Sequence, residues 1–367
     1  MTIDNTDVPD STNPATANSQ SSHHPFEFWG SGGEYFRIWI VNVALTLATL
    51  GIYSPWAKVR NNRYIYGNTT VADGHFDYHA DPLVILRGRI IAIVLLLIYL
   101  LGSNFFPTVG VLIALAVFIA TPWIVVRSLA FNARNTSWRN VRFSFVGKPL
   151  GAAGAYIGWP LLGIFTLGLA MPFAWFMAAA FGVNGHRLGQ THFKLSAQAG
   201  DFYKIALYII LASIVAIAVV ALISGAGVLG AMGISEGLEN ADPESAAMMA
   251  AQIPIFIAIA LVYLTLFNLF GALRFKTIYK DLKLGENTID NDMSIVRFLF
   301  IAVTNSLAML VTLGLYYPWA KVRMTRFLVE SLELEATDLD NFVASAETEQ
   351  SALGEELGEA FDLGIGV

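Results

Sequence analysis

Long apolar stretches alternate with short polar loops along this chain. Seven of them, at roughly 36–54, 90–106, 108–126, 150–172, 203–223, 249–272 and 295–317, approach the length of about 20 residues that crosses about 30 Å of hydrocarbon. Backbone polar groups inside a bilayer must be satisfied within the segment, so the pattern predicts helices. Trp39, Tyr53, Trp56, Tyr99, Trp123, Trp159, Tyr316, Tyr317 and Trp319 gather at the segment ends, as an interfacial aromatic belt does. In the loop after the first segment, Phe76 and Tyr78 alternate with Asp77 and His79, and that period of two predicts a short β-hairpin leading into the next helix. The expected fold is therefore an all-α polytopic membrane protein, an internally repeated helical unit with short cytoplasmic β-hairpin loops.

The repeat is explicit. TLGIYSPWAKVR at 49–60, TLGLAMPFAWFM at 166–177 and TLGLYYPWAKVR at 312–323 are three copies of one pattern, and Asn42 and Asn305 precede Pro55 and Pro318 at the same distance. A weaker copy starts at Pro122-Trp123. At the constant offset of 67 residues between Pro55 and Pro122, Asn68-Thr69 falls on Asn135-Thr136 and Phe76 on Phe143. FEFWGSGGEYFRI at 26–38 likewise matches FKLSAQAGDFYKI at 193–205. Pro55 and Pro318 suit the first turn of a new helix, where the fixed φ and the missing donor cost nothing. The organisation expected is a polar leader (1–25), a repeated transmembrane domain (26–330) and a disordered acidic tail (331–367).

Composition sharpens this picture. The chain is 55% hydrophobic and 14% charged, against about 25% charged in an ordinary soluble domain, which excludes a plain soluble enzyme. The absence of cysteine removes disulfides, thiolate metal sites and cysteine nucleophiles together. The tail holds ten carboxylates and no lysine or arginine; it is a candidate site for a protein partner. The bases cluster in loops, whereas the connections at 102–108 and 224–248 carry none, so the positive-inside rule puts those two outside the cytoplasm. Segments one, four and seven have cytoplasm-like loops at both ends. Either they are re-entrant or interfacial helices broken at Pro55, Pro172 and Pro318, leaving four spans, or all seven cross and the charge rule fails in part.

The TLG-x-x-x-P-W-A-K-x-R signature, the loop from Val71 to Leu83 and the FxFxGxxxEYFRI opening resemble the YjgN-like bacterial inner-membrane family. The resemblance covers about residues 26–330, and Trp175-Phe176-Met177 of the second copy departs from it by lacking the basic triplet. It implies a multi-pass inner-membrane protein from a family of unknown function, with no catalytic residues to carry over.

Candidate chemistry is sparse. Pro55, Trp56, Lys58, Arg60 and their counterparts Pro318, Trp319, Lys321 and Arg323 read as a structural motif whose cations face anionic lipid head groups. Asn42 and Asn305 are polar exceptions within apolar segments, placed to glue helices or to line a cavity. Asp73, His75, Asp77, His79 and Asp81 would share one face of a continuous strand, where a divalent ion is conceivable. Gly233-Ile234-Ser235-Glu236-Gly237 matches G-x-S-x-G without the strand or histidine that motif needs. No catalytic set, cofactor or nucleic-acid partner is expected. A membrane-organising, lipid- or partner-binding role is the first reading. The alternative is a permease or channel-like transporter, with its site between the repeats near the proline-broken helices.

Overall fold

A computed structural model of the chain describes residues 22–235, 243–337, 339 and 342–344. Five units follow one another, each a strand, a helical hairpin and a second strand. Unit one is β1 (Ser22–Phe28), α1 (Gly32–Ala48), α2 (Ser54–Gly67) and β2 (Thr69–Val71); unit two is β3 (Gly74–Tyr78), α3 (Pro82–Phe105), α4 (Pro107–Arg134) and β4 (Thr136–Trp138). Unit three opens with β5 (Val141–Phe145). Its first arm runs from α5 (Pro149–Ala153) through a π-helical turn at Gly154–Gly158 into α6 (Trp159–Phe165), followed by α7 (Met171–Asn184) and β6 (His186–Leu188). Unit four is β7 (Thr191–Lys194), α8 (Ala199–Ser235), α9 (Pro243–Tyr279) and β8 (Leu282–Leu284). Unit five is β9 (Asn287–Asn291), α10 (Ile295–Val311), α11 (Tyr317–Val329) and β10 (Leu332–Ala336).

The strands correct the all-α expectation. Within each unit the two strands pair antiparallel, tight turns join one unit to the next, and β10 pairs with β1, so the ten strands close into one barrel. The loop hairpins are pieces of that barrel, and closure leaves no exposed sheet edge. The expected leader and tail each contribute a strand: β1 begins at Ser22, and β10 takes Leu332–Ala336, whose leucines point in while Glu333 and Glu335 point out. Beside the partner each has in its own unit, these two strands pair with each other across the length of the chain, a contact that no local pattern marks. Residues 1–21, 236–242, 338, 340–341 and 345–367, and with them part of the acidic connection, most of the tail and part of the G-x-S-x-G match, lie outside the described residues.

All five hairpins leave the barrel by the same rim, and each packs its second helix on the first helix of the next unit, with α11 returning to α1. Arg326 Nη2 of α11 donates to the Gly30 carbonyl at the start of unit one, at 2.8 Å. At this seam the α1 backbone runs so close to Trp319 that a Cβ on Gly32 would lie 2.4 Å from its ring.

The hairpins come in two lengths. In units one, three and five the T-L-G triplet forms the tip. The threonine hydroxyl accepts from the amide four residues on (Tyr53, Ala170 and Tyr316, at 2.9–3.0 Å), while the leucine stands 93–96% exposed. The glycine takes φ of 88° to 92°, a left-handed value that glycine adopts without a Cβ penalty. Segments one, four and seven therefore double back at their prolines. In unit two the same proline, Pro122, lies inside α4, which begins at Pro107. Fifteen further residues at 1.5 Å each carry that hairpin about 22 Å beyond the short ones. Four helical stretches, Pro82–Phe105, Pro107–Arg134, Ala199–Ser224 and Ile255–Tyr279, are long and apolar enough to cross a membrane, and all belong to the two long hairpins. Arg89 of α3 donates to Ser54 Oγ at the tip of the first short hairpin, which fixes the two at one height.

Candidate functional site

The barrel wall carries a fivefold pattern. Each unit sets one apolar pair across its own two strands: Phe26 with Val71, Phe76 with Trp138, Phe143 with Leu188, Phe193 with Leu284 and Ile289 with Leu334. The four phenylalanines stack in succession, with ring centroids 6.4, 6.4 and 6.2 Å apart. An eight-stranded barrel is just wide enough for its own side chains to fill, and diameter grows with strand number. Ten strands leave a void: these side chains and the ends of the second helices (Ile65, Tyr66, Val183, Ile278, Tyr279 and Val329) surround a cavity of about 460 Å³. Burial pushes the Tyr66 phenol above its ordinary value, against a smaller downward pull from Thr136, so it stands neutral in the wall. His186, one of the few polar residues lining the cavity, has its Nδ1 2.6 Å from the Gly182 carbonyl. Past the end of β10, at the rim away from the helices, Leu339, Phe342 and Val343 pack onto the apolar core of the barrel.

A second cavity of about 560 Å³ adjoins the first, and Ile65 and Tyr66 line both. Ser54, Ala57, Lys58, Asn61, Asn62, Ile65 and Tyr66 recur at the three- and four-residue spacing of one helix face. That face of α2 lines the second cavity together with Tyr35, Tyr317 and Lys321. Lys58 and Lys321 are the same position of the repeat in units one and five, which closure of the ring brings together. Among the described residues no carboxylate lines this cavity and neither lysine has an ion-pair partner.

The other candidates separate. Pro55 and Pro318 are buried at the starts of α2 and α11. Trp56 stacks on Tyr53 at 6.0 Å, and Trp319 on Phe36 at 5.0 Å. Arg60 is exposed. Arg323 is half-buried, donating to Thr304 Oγ1 at 2.9 Å and to Asn305 Oδ1 at 3.1 Å. Asn305 and Asn42 both tie the arms of their hairpins: Asn305 donates to the Ala320 carbonyl at 3.2 Å, and Asn42 to Asn61 Oδ1 at 2.9 Å. The acidic and histidine residues of β3 do not converge. Asp73 sits in the turn at φ 59°, His79 bonds Ser137, and Asp81 caps α3. His75 and Asp77 alone lie together, at 3.4 Å, and no group of three metal-ligating side chains occurs among the described residues.

The cavity-lining pairs went unrecognised as a site in the sequence. The offset of 67 residues that superposes Phe76 on Phe143 does not continue, because Phe193 follows 50 residues on and Ile289 a further 96, so no constant spacing announces the set.

Residues 23–360 match the family described as bacterial protein of unknown function, DUF898. The chain is 33% identical over 134 residues to the inner membrane protein YjgN of Salmonella typhimurium, covering 36% of the chain and 34% of that protein. It is 35% identical over 128 residues to the inner membrane protein YjgN of Escherichia coli K12, covering 33% of the chain and 31% of that protein. The chain thus spans about a third of the length of these curated relatives. No solved structure matches it.

Proposed function

The chain belongs to this bacterial family of unknown function and is a multi-pass protein of the inner membrane, and from that premise we propose that it binds membrane amphiphiles, taking an apolar chain into the lumen of its barrel. The observation that carries this reading is the apolar cavity of about 460 Å³ at the rim from which the membrane helices leave. It lies within the range of about 300–1,000 Å³ usual for ligand sites. A methylene is about the size of a water, whose share of liquid volume is about 30 Å³, so the space suits a chain of about fifteen carbons. The basic residues of the described loops lie on the barrel side, which under the positive-inside rule faces the cytoplasm, so the chain would come from the inner leaflet. The three short hairpins, with Leu50, Leu167 and Leu313 at their tips, sit at the interface of that leaflet beside the four spans.

Trp138 lines the lumen and supplies the test. In nanodiscs, an acyl chain brominated near its terminus is expected to quench Trp138 emission, read as the difference between the unsubstituted chain and Trp138→Phe. Filling the lumen with Val71→Phe should abolish that component while leaving quenching of the interfacial tryptophans intact. Trp138 emission indifferent to the brominated chain would defeat the reading.

The permease alternative draws support from the polar cavity beside Pro55 and Pro318. It requires release at the far rim, so removing the apolar side chains of Leu339, Phe342 and Val343 would then alter flux across proteoliposomes and leave binding unchanged.

A further inference from the structure

The lumen and the polar cavity share Ile65 and Tyr66 in their linings, and one molecule spanning both would be apolar at one end and polar at the other. Resting on the acyl-binding reading above, we infer that the polar cavity is a head-group subsite and that the ligand is a single-chain amphiphile with an anionic head, a carboxylate or a phosphate. Moving an acyl chain from the bilayer into the lumen exchanges one hydrocarbon environment for another, so the chain contributes little selectivity and recognition falls on the head.

The cavity is built for negative charge. Lys58 and Lys321 bring two ammonium groups from equivalent positions of the first and last repeats, with no carboxylate among the described lining residues to neutralise them. Asn61 has its Oδ1 engaged by the Asn42 amide, which leaves its donor end for a ligand. Lysine acts as a compact point charge that suits either a carboxylate or a phosphate. Arg323, the nearby cation of the same repeat, is already held by Thr304 and Asn305. From Ser54 at the hairpin tip to Tyr66 at the lumen, α2 covers twelve residues, about 18 Å. A head held by the lysines thus directs its chain away from the membrane and into the barrel, so the ligand is drawn tail-first out of the leaflet.

The test uses the full-length chain in nanodiscs of zwitterionic lipid, with Trp138 quenching as readout and three probes carrying the same brominated chain: a fatty acid, a lysophosphatidate and the methyl ester of the fatty acid. One or both acids should quench at about tenfold lower concentration than the ester, and the acid that does so identifies the head. K58Q/K321Q should erase that preference while leaving the ester curve in place, which also shows the variant to be folded. High salt, which shortens the screening length to about 3 Å at 1 M, should weaken the acids selectively. Equal potency of acids and ester, or a preference that survives in K58Q/K321Q, overturns the head-group subsite and leaves the lumen reading standing. Failure of every probe to quench Trp138 removes the lumen reading, and the subsite with it.

Discussion

Asn42 and Asn305 hold the same place in the repeat, yet their replacement should have different costs. Asn305→Ala removes an acceptor 3.1 Å from the Arg323 guanidinium and a donor to the Ala320 carbonyl. The carbonyl lies within α11, where the helix's own bonding serves it, so the loss is dominated by the hydrogen bond to a charged group, worth about 1.5–3 kcal/mol. Arg323 keeps Thr304, which places the expected destabilisation near 2 kcal/mol. Asn42→Ala removes one neutral bond to Asn61 at 2.9 Å, worth about 1 kcal/mol. It also deletes Asn42 Oδ1, a buried acceptor without a partner, and it frees Asn61 into a polar cavity. The net cost should fall below about 1 kcal/mol. Thermal unfolding of the detergent-solubilised protein measures the contrast: roughly a 4 °C drop for Asn305→Ala, and less than half of that for Asn42→Ala. Equal shifts, or a larger one for Asn42→Ala, would refute the assignment of the stronger hairpin tie to the Arg323 contact.

Three further outcomes follow from the architecture. Gly314→Ala forces an alanine to φ +88° in otherwise open space and should lower the unfolding midpoint through about 1 kcal/mol or more of strain, whereas Gly33→Ala, in the first turn of α1 with nothing within 4 Å, should be neutral or stabilising. Because the folded Tyr66 phenol titrates above the unfolded value of 10.0, the unfolded chain loses this proton first; stability should be level below pH 10 and decline above it, and Tyr66→Phe should flatten the decline measured by alkaline unfolding. In the cysteine-free background, single cysteines replacing Thr70, Thr191 or Thr337, all on the barrel side, should resist an impermeant thiol reagent added outside intact cells, while one at Ser235, at the end of α8, should react; labelling at Thr191 would put the barrel on the wrong side or divide it between two.

Hydropathy alone located the apolar segments, and the T-L-G and proline signatures gave the repeat and the restart of its second helix, because each depends on residues close together in the chain. Period-two alternation marked the inter-unit hairpins for the same reason. The barrel escaped notice because strands of three to seven residues are individually weak signals, and the pair that closes the ring, β1 with β10, joins Ser22 to Ala336. The choice between crossing and doubling back also lay outside the sequence: Pro55 and Pro122 occupy one place in the repeat, and only the folded chain shows one opening a short arm while the other lies within a long one. The candidate site divides in the same way. Lys58 and Lys321 are visible as a motif, but in the sequence they read as two separate lipid-facing faces. Ring closure sets α11 against α1 and turns both lysines onto one cavity, which shares Ile65 and Tyr66 with a lumen whose apolar lining comes from all five units. Local chemistry thus determined the elements and their repetition, whereas the void at the centre exists because ten short strands close a ring too wide for their own side chains to fill.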